Sequence, residues 1–188
     1  VLREIHSQLE RTKPETIDYS GIMDWIDAIT EWYDSHEAKR ENKIIGSRNM
    51  VDVRDVVRDY YYHPAMGGSN SIKVVLPAVL SVSRFLKEKY SKPLSFGTNL
   101  KGKIWRQDDA VSGKAIDPYN LLISNFDDNI GCDVIRDGGA AMTAFGKMQF
   151  SDISEKERNA IITSLLRYCE LDTLAMLMIY EHWRSLQL

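Results

Sequence analysis

Apolar residues recur three and four places apart along most of this chain, and polar breaks separate the runs that keep this spacing. Val1, Leu2, Ile5 and Leu9 fall on one side of a short amphipathic helix over residues 1–11. After Pro14, "DYSGIMDWIDAITEWYDS" places Ile22, Trp25, Ile26, Ile29, Trp32 and Tyr33 at helical spacing, which predicts a helix with one buried face. "HEAKRENKIIGSRN" breaks the pattern and reads as a polar loop, with Lys43–Ile45 as a candidate short strand. Met50, Val51 and Val53 predict a strand entering a helix that runs to about Tyr61.

The second half begins at a turn, "AMGGSNS", where Gly67 and Gly68 supply backbone freedom and Ser69 or Ser71 can cap the next helix. "SIKVVLPAVLSVSRFLKEKYS" is helical in pattern, and Pro77 predicts a kink or a break within it. Residues 91–136 lose the periodicity and collect Pro93, Gly97, Gly102, Gly113 and Pro118, so they read as a long loop-rich insertion. Loops of that length are usually functional or mobile. "DGGAAMTAFGKMQF" predicts a short Ala-rich helix starting near Gly139. The last segment, "SDISEKERNAIITSLLRYCELDTLAMLMIYEHWRSLQ", opens with Ser151 or Ser154 ahead of acidic residues, a capping signature. It predicts one long helix, or two helices broken close to Tyr168.

Composition narrows the possibilities. A length of 188 residues suits a single domain, 1–188, with a sizeable core. With 44% apolar and 27% charged residues, the chain has the make-up of a folded protein, not a disordered one. A net charge of −3 excludes a global basic field, so nucleic acid would have to be held by local patches or by a metal offsetting acidic groups. Cys132 and Cys169 match neither a disulfide framework nor a zinc spacing, and a reducing cytoplasm is the expected location. No run approaches the ~20 apolar residues of a membrane span, so no membrane partner is expected. "VLREIHSQLER" is not a signal peptide. It reads as a helix already under way, and the expectation is a piece of a longer protein.

The candidate chemistry lies in "YCELDTLAMLMIYEHW". Asp172 sits mid-way in an apolar helix, where a carboxylate is costly unless something pairs with it. Residues four apart share a helical face, so Tyr168 and Asp172 are neighbours, flanked by Leu165, Ala175, Met176 and Ile179. Either Asp172 pairs locally or it serves a ligand such as a metal ion. Glu170 falls on roughly the opposite side, towards solvent. Cys169 points about 100° from Tyr168 and reads as a small core residue. In "NLKGKIWRQ", Trp105 beside Lys101, Lys103 and Arg106 has the make-up of a base-stacking, phosphate-contacting patch, or of a partly exposed loop. Ser71 and Lys73 are candidates to face a nucleic-acid strand, although capping also explains Ser71. His6, His36, His63 and His182 form no metal pair and are expected at the surface, His63 after "YYY" at residues 60–62 being a candidate groove wall. Asp127, Asp128 and Asp133 suit a solvated turn, and Asp137 a turn or cap.

"LLRYCELDTLAMLMIYEHW" resembles the third motif of the DEDD superfamily of 3′→5′ exonucleases in its tyrosine-bearing, ribonuclease D-like branch, where Tyr-x-x-x-Asp lies on a helix followed by apolar residues. "MVDVRDVVRDYY", "GSNSIKVVLPAVL" and "DGGAAMTAF" follow that order of elements. The wording "YYYHP", "GSNSIK", "LPA" and "YCELDTLAM" is closest to an uncharacterised bacterial domain family within the superfamily, over residues 1 to about 184. The resemblance implies an α/β, ribonuclease H-like three-layer fold, of which the portion present is mostly helical with one to three short strands. It implies two-metal phosphodiester hydrolysis, with four carboxylates holding two Mg²⁺ or Mn²⁺ ions. Asp172 would be a metal ligand, and Tyr168 would orient the attacking water. With an ordinary pKa of about 10, a phenol is a poor base at neutral pH. The family's first motif, Asp-x-Glu, occurs nowhere in these 188 residues, and both it and the second carboxylate are expected upstream of Val1. The chain is therefore expected to be the C-terminal part of an exonuclease-like domain, inactive by itself. An upstream segment or partner chain would complete its sheet, and its substrate would be single-stranded nucleic acid. The alternative is a non-catalytic module of the same fold that binds nucleic acid or a protein.

Overall fold

The longest periodic run folds as one helix. In the computed structural model, which describes residues 1–12, 18–33, 43–125, 135 and 137–186, Glu155–Ser185 forms an unbroken helix of 31 residues. This helix is α8 in chain order. Ser154 is its N-cap, the hydroxyl accepting the Glu157 N–H at 3.2 Å. Glu155 and Glu157 in the first turn and Arg184 in the last match the helix dipole. No break occurs at Tyr168, because the buried positions Ile161, Tyr168, Leu171, Ala175, Met178 and Ile179 keep one face continuous. The Asp127, Asp128, Asp133, Cys132 and His36 expectations lie outside the described residues.

Contacts divide the chain into two compact units, Val1–Asp55 and Val56–Leu188. In the first, α1 (Leu2–Thr12) and α2 (Ser20–Ile29) pack together. β1 (Glu31–Tyr33) pairs antiparallel with β2 (Lys43–Ile45), Trp32 opposite Ile44. The helix expected to continue through Trp32 and Tyr33 ends at Ile29, and these two aromatic residues lie in β1. The Thr30 hydroxyl accounts for the stop in part, since it bonds back to the Ile26 carbonyl at 2.7 Å while its backbone turns extended. Gly46 follows β2 at a point where a Cβ would run into the carbonyls of Asp27 and Ala28, so the close approach of two backbones demands glycine. No strand forms at Met50–Val51; the Met50 N–H bonds the Ile29 carbonyl as a loop contact. Asp52 accepts the Arg54 N–H at 2.8 Å where α3 (Val53–Tyr60) begins. His6, expected at the surface, is buried, its Nε2 3.3 Å from Asp27 and its Nδ1 3.7 Å from Glu10. Arg3 also binds Asp27 and lies 4.3 Å over the Trp32 ring.

The second unit is built on α8. Against it pack α4 (Ile72–Val82), α5 (Arg84–Tyr90), α6 (Pro118–Asn125) and α7 (Gly138–Phe150). Leu76, Val79 and Leu80 of α4 and Leu86 of α5 are fully buried, so the α4–α5 segment forms one wall of the core. Pro77 lies inside α4 without ending it. The break falls at Ser83, which closes α4 through its backbone N–H to Val79 and caps α5 by accepting the Leu86 N–H at 3.2 Å. The side-chain cap, not the proline, decides the boundary. Residues 91–117 hold no regular helix, yet Leu94, Leu100 and Trp105 in them are core residues, with Asp108 and Ala115 joined by an isolated bridge. The described part of the insertion is thus packed in place. Among the described residues the fold is mostly helical with two short strands, and no helix is long and apolar enough to cross a membrane.

Candidate functional site

Tyr168 and Asp172 lie one turn apart on the buried side of α8, as their spacing predicts. Tyr168 is 7% exposed and Asp172 half-buried. A third residue meets them. Asp117 precedes Pro118, and its carboxylate accepts the Tyr119 N–H at 3.0 Å, so α6 starts with an acidic residue followed by proline in its first turn. That start puts Tyr119 into the core, 3% exposed. Its hydroxyl donates to Asp172 Oδ1 at 2.5 Å. The Tyr119 and Tyr168 rings are 6.1 Å apart at 51°.

Lys73, in the first turn of α4, lies over both rings, its Nζ 4.9 Å from the Tyr119 centroid and 5.6 Å from that of Tyr168. Its charge also acts on Asp117 and Asp137. Asp137 caps α7 by accepting the Ala140 N–H at 2.8 Å, as expected for a cap, and this bond holds its carboxyl below the usual range. Burial pushes the Asp117 carboxyl up, opposed by the Tyr119 N–H and by Lys73. Burial, and then the Asp172 charge, push the Tyr168 phenol up to about 12. Burial and the hydrogen bond to Asp172 push Tyr119 further above the ordinary tyrosine range. Both phenols are therefore protonated donors at neutral pH, and neither is a base. The cluster can position a polar ligand or a water between a carboxylate acceptor, a phenol donor and an ammonium group.

The other expected site residues are placed differently. Trp105 is 0% exposed, and its Nε1 donates to the Leu100 carbonyl at 3.2 Å. A side chain with no free face cannot stack a base, so Trp105 is a core residue, and the nucleic-acid role expected of it is corrected. Arg106 is 5% exposed, with its guanidinium spent on the Leu80 carbonyl at 3.3 Å and Asp108 at 2.5 Å. It anchors this segment to α4 and does not face a phosphate. Ser71 is the N-cap residue of α4 by backbone conformation, but its side chain makes no capping bond. Cys169, expected in the core, is exposed. Glu170, expected to reach solvent, is bound by the loop at residues 98–100. His182 is buried and Tyr60 and Tyr62 are exposed, while His63 Nδ1 accepts the Ala65 N–H at 3.2 Å. The residue that sequence reasoning passed over is Tyr119. Its signal was "DPYN", where an acidic residue ahead of proline marks a helix start inside a stretch otherwise read as loop.

No group of three His, Cys, Asp or Glu side chains suited to a metal ion exists among the described residues. One oxygen of Asp172 is already taken by a phenol donor. The residues present do not fit a two-ion centre by themselves. Comparison of the chain with protein-family models, with curated proteins and with solved structures finds no match.

Proposed function

We propose that this chain carries the C-terminal part of a ribonuclease H-like, three-layer exonuclease domain acting on single-stranded nucleic acid from the 3′ end. In this reading it contributes the Tyr168–Asp172 helix to a phosphodiesterase site and does not cut alone. The observation that supports the reading is the pairing of Tyr168 and Asp172 on one face of α8, with Lys73 over the Tyr168 ring. A lone buried carboxylate would suit a structural bond. A carboxylate sharing its face with a high-pKa phenol and a nearby ammonium also suits a site that handles water and phosphate.

The roles follow from the donors and acceptors. Tyr168 keeps its proton and shares it with Asp172, so in this reading it would orient a water or phosphate oxygen that comes between the two. Asp172 is the acceptor of the group, and Lys73 supplies positive charge near a phosphate. A Mg²⁺ or Mn²⁺ pair would supply an activated water and a Lewis acid. The described residues provide one of the four carboxylates such a pair needs, so no metal-borne step is assigned to them. An upstream segment or a partner chain would bring the remainder and complete the sheet.

The test takes the product of the complete reading frame with Mn²⁺ and a 5′-labelled single-stranded DNA or RNA. The expected result is a ladder shortening from the 3′ end, lost in Asp172→Asn and slowed in Tyr168→Phe, with no ladder from residues 1–188 alone. Cleavage that Asp172→Asn leaves intact, or no cleavage by the complete product, removes the exonuclease reading. Nucleic-acid binding without cleavage would favour the non-catalytic module instead.

A further inference from the structure

Asp172 is reached by a residue from outside its own helix, and that residue is better fixed than Asp172 itself. Tyr119 is 3% exposed, against the half-buried Asp172. Its backbone N–H is tied to Asp117 at 3.0 Å, its ring lies 6.1 Å from Tyr168, and Lys73 covers its face at 4.9 Å. A partly exposed aspartate on a helix has several side-chain rotamers open to it. A phenol O–H donating to the Asp172 carboxylate at Oδ1 selects one of those rotamers.

From this geometry we infer that Tyr119 is a positioning residue for the site: its hydroxyl holds Asp172 by Oδ1, fixing the carboxylate rotamer that Tyr168 also bonds and that an incoming ligand would meet. The inference rests on the reading that Asp172 serves a phosphodiesterase site. Its structural half, the selection of one Asp172 rotamer by Tyr119, stands apart from any activity. The division of labour is asymmetric. Tyr168 shares the helix of Asp172 and moves with it. Tyr119 comes from α6 and ties that helix to the Asp117–Pro118 turn. Replacing the hydrogen-bonding partner behind a metal-ligating carboxylate, the role Asp172 would have in the proposed function, typically costs about 10–100-fold in activity. The loss should fall on kcat and not on KM, because Tyr119, buried behind Asp172, does not face the ligand.

Two measurements test this. In the first, residues 1–188 are labelled with 3-fluorotyrosine. The nine tyrosines give ¹⁹F resonances, and Tyr119→Phe identifies the one from Tyr119. Asp172→Asn should shift that resonance; an unmoved resonance overturns the inference whatever the activity. In the second, cleavage by the complete reading-frame product is compared across variants. Tyr119→Phe should lower kcat about 10–100-fold with KM unchanged. If the wild type cuts, Asp172→Asn is inactive and Tyr119→Phe cuts like wild type, the inference fails and the exonuclease reading stands. If the wild type does not cut, the exonuclease reading fails and takes the catalytic part of the inference with it.

Discussion

Glu170 and Asn99 are joined twice: Glu170 Oε2 accepts both the backbone N–H and the side-chain amide of Asn99, each at 2.8 Å. The other oxygen accepts the N–H groups of Thr98 at 2.9 Å and Leu100 at 3.3 Å. Three successive backbone donors converge on one carboxylate because Gly97 turns the chain at φ +88, and a side chain there would meet the Glu170 carboxylate. A residue two places from Tyr168 thus fastens the loop to α8.

Removing that fastening is expected to be costly. Glu170→Ala should lower the unfolding free energy by about 1.5–3 kcal/mol, the range for bonds to a charged acceptor, read as a shifted midpoint in urea. Partial burial pushes the Glu170 carboxyl up, but the Asn99, Thr98 and Leu100 donors outweigh it and hold it below its ordinary value of 4.5. A carboxyl depressed in the fold stabilises above its unfolded value and loses that contribution as pH falls through the folded value. The stability gap between wild type and Glu170→Ala should therefore be full at pH 7 and close progressively below about pH 4.5.

His182 should act in the same sense, at milder pH. It is 5% exposed, edge-on to Tyr61 at 6.3 Å, and its Nδ1 has no hydrogen-bond partner among the described residues. Burial holds its imidazole below the ordinary 6.5. The unfolded chain then takes up a proton before the folded one does, so stability is full above pH 6.5 and falls as pH drops towards the folded value. His182→Leu should remove this slope. Thermal melts at pH 7.5 and 5.5 check it: the wild type should lose more than the variant, and equal losses would show that His182 does not titrate between states.

Trp105 separates a packing role from a binding one. Trp105→Ala should cost about 3–5 kcal/mol, as for a large buried aromatic residue. The milder Trp105→Phe should keep the fold and leave the affinity for single-stranded DNA, measured by fluorescence anisotropy, unchanged. A tenfold loss of affinity in folded Trp105→Phe would restore the stacking role that its burial excludes.

Much of the helical layout was legible along the chain. Capping and periodicity are local, and Ser154, Asp137 and the 3–4 spacing of α8 act within a few residues of themselves, so the starts of α7 and α8 and the shared face of Tyr168 and Asp172 follow from sequence order. The errors have local causes too. Trp32 and Tyr33 fit a helical period, but strand pairing with residues 43–45 claimed them, and pairing partners are not written in either segment alone. Pro77 carried a break signal, yet Ser83 supplied the cap that made one.

The sequence by itself determined the starts of the last two helices and the placing of a phenol and an acid on one helical face, because both depend on intervals of a few residues. The tertiary structure alone decided which residues meet that face. Tyr119 lies 53 positions from Asp172 and Asn99 lies 71 from Glu170. Those contacts form when a segment with no regular periodicity is folded back onto α8, where burial and hydrogen-bond satisfaction select the partner, and no spacing rule along the chain encodes that choice.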